Sequence, residues 1–468
     1  MKRLFWQGSL LFLSITMASN ALDLKEAVLK VLSENPQIQE RVKNYNATIQ
    51  DIKIAKSTWL PTLDYVGDIG YEKVNNSATA FKDKSSHIYE HSLIFIENIF
   101  NGWSTTYRIK TQEARAAAAA YNYIEKANDV SYKLVNYYIQ VIKNKDLLDI
   151  AEQNIKINDT IQKKVKKLYD AGLTTKSELE KANASLALAK SNYIVQENNL
   201  KDSVYQLKYY FGLKVKPEEL KKPEFNYELP VNYEMGRQYA TKHNPSILVQ
   251  SYNIKVAQAD RLEKRSQYYP KIDLEARQSW SENTGGIDGR DRRFRAVVKV
   301  SWNLFKGFAD ERNLQKGISK INQEVQIKND LIRQTVESYD LSWNAYTELS
   351  KQLKHLKDYK KYAVSTLRLY SKEYDMGRRS LLDLLSAQND LINAKSQIVT
   401  AKSNLLFAKY RILDAMGIMV KSIIGDTKPV YQKVQYIDFE KNLPDKKPVD
   451  KIKSNDDFIK ALEKNRKK

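Results

Sequence analysis

Two stretches past the middle of the chain alternate apolar and polar residues with period two. Ile272, Leu274, Ala276, Gln278 and Trp280 interleave with Asp273, Glu275, Arg277 and Ser279. Phe294, Ala296, Val298, Val300, Trp302 and Leu304 interleave with Arg293, Arg295, Lys299, Ser301 and Asn303, and only Val297 breaks the polar set. Successive side chains on a strand point to opposite faces, so the pattern predicts a β-hairpin over about 271–304 with one apolar and one charged face. Ser281–Gly289 supplies its turn chemistry. A less regular pair, Thr62–Tyr71 and His87–Ile99, predicts another hairpin over about 62–99, with Asn75, Asn76 and Ser77 in its loop.

Elsewhere the period is helical. Leu22–Ser57 reads as helix, restarted at Asn35-Pro36 because proline suits a helix's first turn, and Pro61 ends it. No proline occurs over 103–171 or 308–376, so each stretch predicts one helix on the order of 100 Å long. In the second, Tyr346, Leu349, Leu353, Leu356, Lys360, Ala363, Leu367, Tyr370 and Tyr374 step by threes and fours, a coiled-coil spacing. Return helices follow over 177–211 and 381–416. In the latter, Leu384, Ala387, Leu391, Ala394, Ile398, Ala401, Leu405, Ala408, Ile412 and Ala415 alternate large with small, which lets helix axes approach closely. The former answers with Leu179, Ala182, Leu186, Ala189, Tyr193, Leu200 and Leu207, with Gln196 and Ser203 in register. Taken alone, such stripes suit an ordinary helix-bundle core equally well.

The two halves are one layout written twice. Asn35-Pro36 and Pro61 recur as Asn244-Pro245 and Pro270 at an offset of 209; Asn98 to Gly102 (Asn-Ile-Phe-Asn-Gly) recurs as Asn303 to Gly307 (Asn-Leu-Phe-Lys-Gly) at 205. Tyr169-Asp170-Ala171-Gly172 then matches Tyr374-Asp375-Met376-Gly377 at the same 205. Prolines and glycines set backbone states few other residues adopt, so their repeated spacing implies a repeated fold. The expected organisation is a first repeat over 22–213, a linker over 214–232, a second repeat over 233–417 and a basic tail over 418–468. That tail, lysine-rich with Pro429, Pro444 and Pro448, is expected to be mostly extended with a short helix over 456–463.

Composition and the amino end narrow the function. Met1-Lys2-Arg3, an apolar stretch over 4–17 and Ser19-Asn20-Ala21 read as a signal peptide over 1–21. A membrane anchor competes, but the apolar run falls short of the ~20 residues that a spanning helix needs. The chain has no cysteine, so it forms no disulfide and takes no lipid on that side chain. Lys and Arg total 77 against 56 Asp and Glu. An exported chain does not meet nucleic acid, and the lysines spread along helical surfaces, so a solvated basic face is the better reading. There is no phosphate-cradling glycine loop, His-Glu-x-x-His or Gly-x-Ser-x-Gly. His87 and His91 read as an outward-facing strand pair rather than metal ligands. The expectation is a protein that is not an enzyme, with no cofactor and no metal.

Four strands with one apolar face could span a bilayer, but lipid tolerates no open strand edge and closure takes at least about eight strands. The strands must be shared with other chains. The duplicated order of helix, hairpin, long helix, glycine turn and return helix, with Asn-Pro near each start and Asn-x-Phe-x-Gly after each hairpin, resembles the TolC family of outer-membrane efflux and secretion channels. The resemblance spans essentially all of 22–417. It implies a mixed, mainly-α fold with β structure: a homotrimer with a twelve-stranded outer-membrane β-barrel, continuous with a coiled-coil α-helical tunnel through the periplasm. It further implies docking onto a periplasmic adaptor (membrane fusion protein) and an inner-membrane transporter, as the exit duct of a tripartite efflux pump or type I secretion system of a Gram-negative cell.

The resemblance also implies roles at the two glycine turns. Tyr374, three before Gly377, and Arg379, two after it, would link to Glu178, six after Gly172, and hold the inner end closed. Asp383 would line the entrance, and Ser386 stands where the family pattern has another aspartate. Gly172 and Gly377 would mark the turns that meet the adaptor. On their own, Glu178 and Arg379 read as solvated helix-end charges. Two other function classes remain: a periplasmic coiled-coil adaptor or scaffold, which leaves the alternating strands unexplained, and a secreted polyanion binder.

Overall fold

A computed structural model describes residues 22–434; the expected signal peptide and the expected helix over 456–463 lie outside them. The first repeat opens with α1 (Leu24–Glu34) and α2 (Pro36–Ser57). Asn35 caps α2, its side-chain oxygen accepting from the Gln37 amide at 2.9 Å while its Nδ2 donates to the Tyr210 carbonyl at 3.2 Å. Asn244 does the same in the second repeat, accepting from Ser246 N at 3.0 Å and donating to the Ala415 carbonyl at 3.0 Å. The repeated Asn-Pro therefore caps one helix and ties it to the far end of the return helix in its own repeat.

Strands β1 (Thr62–Val74) and β2 (Lys84–Phe100) form the first hairpin, longer than the irregular alternation predicts. After the long helix α3 (Ser104–Asp170), return helix α4 (Lys176–Phe211), α5 (Tyr233–His243) and α6 (Pro245–Lys264), the second hairpin follows as β3 (Lys271–Glu282) and β4 (Arg290–Ser301). All four make one antiparallel sheet in the order β1-β2-β3-β4, with the repeats joined between β2 and β3. β4 stops at Ser301, so Trp302–Leu304 leave the strand that the alternation predicts. Ser301 pairs with Lys271, and the residue before Lys271 is Pro270, which has no N–H to continue the ladder. One face carries rungs such as Tyr65, Leu93, Gln278 and Phe294; the other carries Asp64, Ile94, Arg277 and Arg295.

The long helices α3 and α7 (Ala309–Asp375) have 67 residues each, ~100 Å of helix. In the return helix α8 (Leu381–Ala415) every member of the large-small stripe is buried except half-buried Leu405. The main core surrounds the middle of α3, where Tyr123 and Tyr138 are fully buried. The Tyr138 hydroxyl sits 2.7 Å from the carbonyls of Leu22 and Lys221, joining the chain's start to the inter-repeat segment.

Over 418–434 the expected extended tail needs correction. Residues 418–434 contain α9 (Met419–Ile424) and α10 (Lys428–Tyr431), and Met419, Val420, Ile424, Val430 and Val434 are buried. Asn128 donates to the Gly417 carbonyl at 3.1 Å and accepts from Val420 N at 2.9 Å, and the Tyr123 hydroxyl donates to the Val430 carbonyl at 2.9 Å. The lysines and prolines of the tail's composition masked this short apolar cluster.

Candidate functional site

The two glycine turns end α3 and α7 in the same way. Gly172 N bonds the Tyr169 carbonyl at 2.9 Å and Leu173 N the Leu168 carbonyl at 2.8 Å; Gly377 N and Arg378 N repeat this on Tyr374 and Glu373 at 3.0 and 2.8 Å. This pair of bonds requires a left-handed residue, and Gly172 and Gly377 supply it at φ +74° and +69°. Thr175 and Ser380 then cap the return helices, accepting from the amides of Glu178 at 3.4 Å and Asp383 at 3.2 Å. Both carboxylates thus lie in a helix's first turn, where the helix dipole favours negative charge.

The expected link from Arg379 to Glu178 is not made within the chain. Arg379 Nε donates to Glu373 Oε2 at 2.9 Å, its Nη1 lies 4.0 Å from Asp383 Oδ2, and its guanidinium covers the Tyr370 ring at 4.2 Å. All three partners belong to α7 and α8. Glu178 instead accepts from the Thr174 hydroxyl in its own turn. Tyr374 is closer to expectation: burial, reinforced by the Glu178 and Asp375 carboxylates, pushes its hydroxyl above the ordinary phenol range. Asp383 also accepts from the Ser380 hydroxyl at 2.9 Å. Ser386 is exposed.

What joins the two helical hairpins at this end, α3–α4 and α7–α8, is a contact between distant helices. Lys164 on α3 forms an ion pair with Asp375 on α7, and its ammonium lies 5.5 Å from the Tyr374 ring centre. Beneath it Val165, Ala182, Leu381 and Leu385 are buried together, with Ile161, Leu179 and Tyr374 packed around them. No spacing rule in the sequence points to Lys164 and Asp375, which stand 211 residues apart.

At the other end lies the sheet. Among the described residues no helix is long and apolar enough to cross a membrane. The sheet's apolar face is exposed instead: Leu63 is 70%, Ile69 75% and Phe294 69% accessible. Aromatic residues gather at its base, with Trp103 5.1 Å edge-on from both Phe100 and Tyr269, and Phe305 5.4 Å from Phe308, as at a membrane–water interface. His91 Nδ1 lies 2.8 Å from the Tyr65 hydroxyl and His87 packs edge-on to Tyr71 on the same face.

Residues 28–213 and 237–418 match the outer membrane efflux protein family. The chain belongs to that family. The matched segments fall on the two repeats. Among curated relatives, the outer membrane efflux protein BepC of Brucella suis is 21% identical, covering 86% of this chain and 87% of its own. The alkaline protease secretion protein AprF of Pseudomonas aeruginosa is 20% identical, covering 83% of each. The fold is shared with the CmeC outer membrane channel of Campylobacter jejuni, at a TM-score of 0.74 and 13% identity over 89% of this chain and 90% of that one. As a member of this efflux family the protein is an outer-membrane channel component and not an enzyme, with its helical part in the periplasm.

Proposed function

We propose that three copies of this chain close a twelve-stranded barrel and a continuous helical tunnel, forming the passive exit duct of a tripartite export system. The observation that carries this reading is the open sheet. It has four strands of 12 to 17 residues, one apolar exposed face, and two edges, β1 and β4, without a strand partner among the described residues. In lipid an open edge leaves backbone groups unsatisfied at several kcal/mol each, and four strands are too few to close. The sparsely buried α7, with only Thr335, Tyr339, Ser342 and Ala363 buried, fits the same assembly, because neighbouring copies would cover its flank.

The energy for export then comes from an inner-membrane transporter, reached through a periplasmic adaptor that meets the turns at Gly172 and Gly377. The relatives are named for efflux and for protease secretion, which supports both pump-linked efflux and type I secretion as roles for this duct. The closure device would be the inner end, where Glu178, Tyr374, Arg379 and Asp383 lie, with Asp383 lining the mouth. The test is the mass of the detergent-solubilised particle. Three chains per particle are expected, and a stable monomer with full β content would overturn the shared barrel.

A further inference from the structure

We infer that the two free edges of the sheet are matched by charge, so that β4 of one copy recognises β1 of the next and rejects its own kind. This rests on the shared-barrel reading and names the surface that makes the barrel a ring. On the polar face, β1 presents Asp64, Asp68 and Glu72, and no basic residue; β4 presents Lys299, Arg295 and Arg293, with Asp291 at its tip. The register fixes that shared face. Asp64 pairs with Ile94, Ile94 with Arg277 and Arg277 with Arg295, and side chains on one rung point to the same side. Lipid excludes unpaired charge, so this face lines the lumen.

These charges are largely unspent. Asp64, Asp68 and Arg295 are exposed and make no ion pair or side-chain hydrogen bond among the described residues. Glu72 accepts from the Gly285 amide at 2.8 Å, and Arg293 reaches Asp291 at 3.2 Å. Lys299 lies opposite Asp273, whose nearest ammonium is that of Lys271 at 2.9 Å. Within one chain the edges stand at opposite ends of the sheet and do not pair. The interior strand β3, by contrast, mixes signs as Asp273, Glu275 and Arg277.

The consequence concerns symmetry. A β1–β1 or β4–β4 contact would be a two-fold pairing that leaves two like edges open and cannot build a ring of three. It would also set carboxylate against carboxylate or cation against cation, which destabilises cross-strand pairs. A β4–β1 contact sets opposite signs together. It also continues the antiparallel alternation, and its head-to-tail repetition closes into a ring. The segregated charges therefore act against the wrong edge pairing as well as for the right one.

The experiment is a charge swap read as trimer yield in detergent-solubilised outer membranes. Asp64→Lys with Asp68→Lys, and separately Arg295→Glu with Lys299→Glu, should each lower the yield on the order of tenfold or more. A chain carrying all four substitutions should recover it. Failure to recover, or unchanged yield in both two-site variants beside a trimeric parent, overturns charge matching and leaves the shared barrel standing. A parent that is not trimeric overturns the shared barrel itself. The absence of native cysteine permits a second readout. Asp68→Cys alone should give no disulfide-linked dimer, whereas Asp68→Cys combined in turn with Arg293→Cys, Arg295→Cys and Lys299→Cys should give linked copies in at least one pairing. A dimer from the single variant, or none from any combination, refutes the edge assignment.

Discussion

Replacing Lys164 by alanine should loosen the inner end of the tunnel, and should do so more than replacing Arg379. Lys164 contacts Asp375 and the Tyr374 ring on the other hairpin, whereas Arg379 contacts only residues of its own. The Lys164 and Asp375 side chains are 49% and 54% exposed, so the ion pair contributes little, ~0.2–1 kcal/mol, with about 0.5 kcal/mol more from the aromatic face. Three copies moving together multiply this to roughly 2–4.5 kcal/mol, a shift in the open-to-closed ratio of ~30- to ~2,000-fold. The apolar cluster of Val165, Ala182, Leu381 and Leu385 remains, so the trimer should stay assembled. Single-channel recording in planar bilayers measures the effect as open probability. High salt should raise that of the parent and leave the Lys164→Ala variant nearly unchanged, because the screened interaction is already gone. Unchanged gating in Lys164→Ala, Asp375→Ala and their combination refutes this reasoning. If Arg379→Ala and Glu178→Ala open the channel more strongly, the closing link runs between copies, along the route that the family resemblance implies.

Asp383→Asn should abolish weak block by multivalent cations added on the periplasmic side, while conductance stays nearly intact; a block that survives removes Asp383 from the entrance. Gly377→Ala should cost about 1–2 kcal/mol, since its φ of +69° is unfavourable for alanine and no atom lies within 4 Å of the added carbon. Gly102→Ala should lower the thermal unfolding temperature further, because there the new Cβ also lies 2.6 Å from the Ser266 carbonyl oxygen. Loss of hydration, reinforced by Asp129, pushes the Asp414 carboxyl up to about 7. A folded-state value above the unfolded one of about 3.9 means that its stabilising contribution is full below about pH 4 and is lost as pH rises through about 7. Asp414→Asn should flatten that fall in a plot of unfolding temperature against pH.

Much of the architecture was legible because it depends on neighbours in the chain. The large-small stripe of α8 emerged buried almost throughout, and the seam of α7 emerged half-buried at most positions, since a three-four spacing places those residues on one side of any helix. The strand ends were less legible. β1 and β2 run past the irregular alternation, and β4 stops before Trp302 because Pro270, on the neighbouring strand's side, ends the ladder. The gate was legible only in part. Tyr374 and Glu178 fall near each other electrostatically, but Arg379 found Glu373 in the last turn of the helix before it. The closer partner won, as a guanidinium already paired with Glu373 has no reason to cross to another hairpin.

By itself the sequence determined the duplicated order of elements, the caps at Asn35 and Asn244, and the left-handed turns at Gly172 and Gly377. Each follows from the preference of a few adjacent backbone units and survives wherever the segment is placed. Tertiary structure alone decided that Lys164 meets Asp375, that 418–434 folds back as buried helix under Tyr123, and that the polar face separates acid on β1 from base on β4. These depend on which distant segments come to lie side by side, and that is settled by packing and strand order, which no local period encodes.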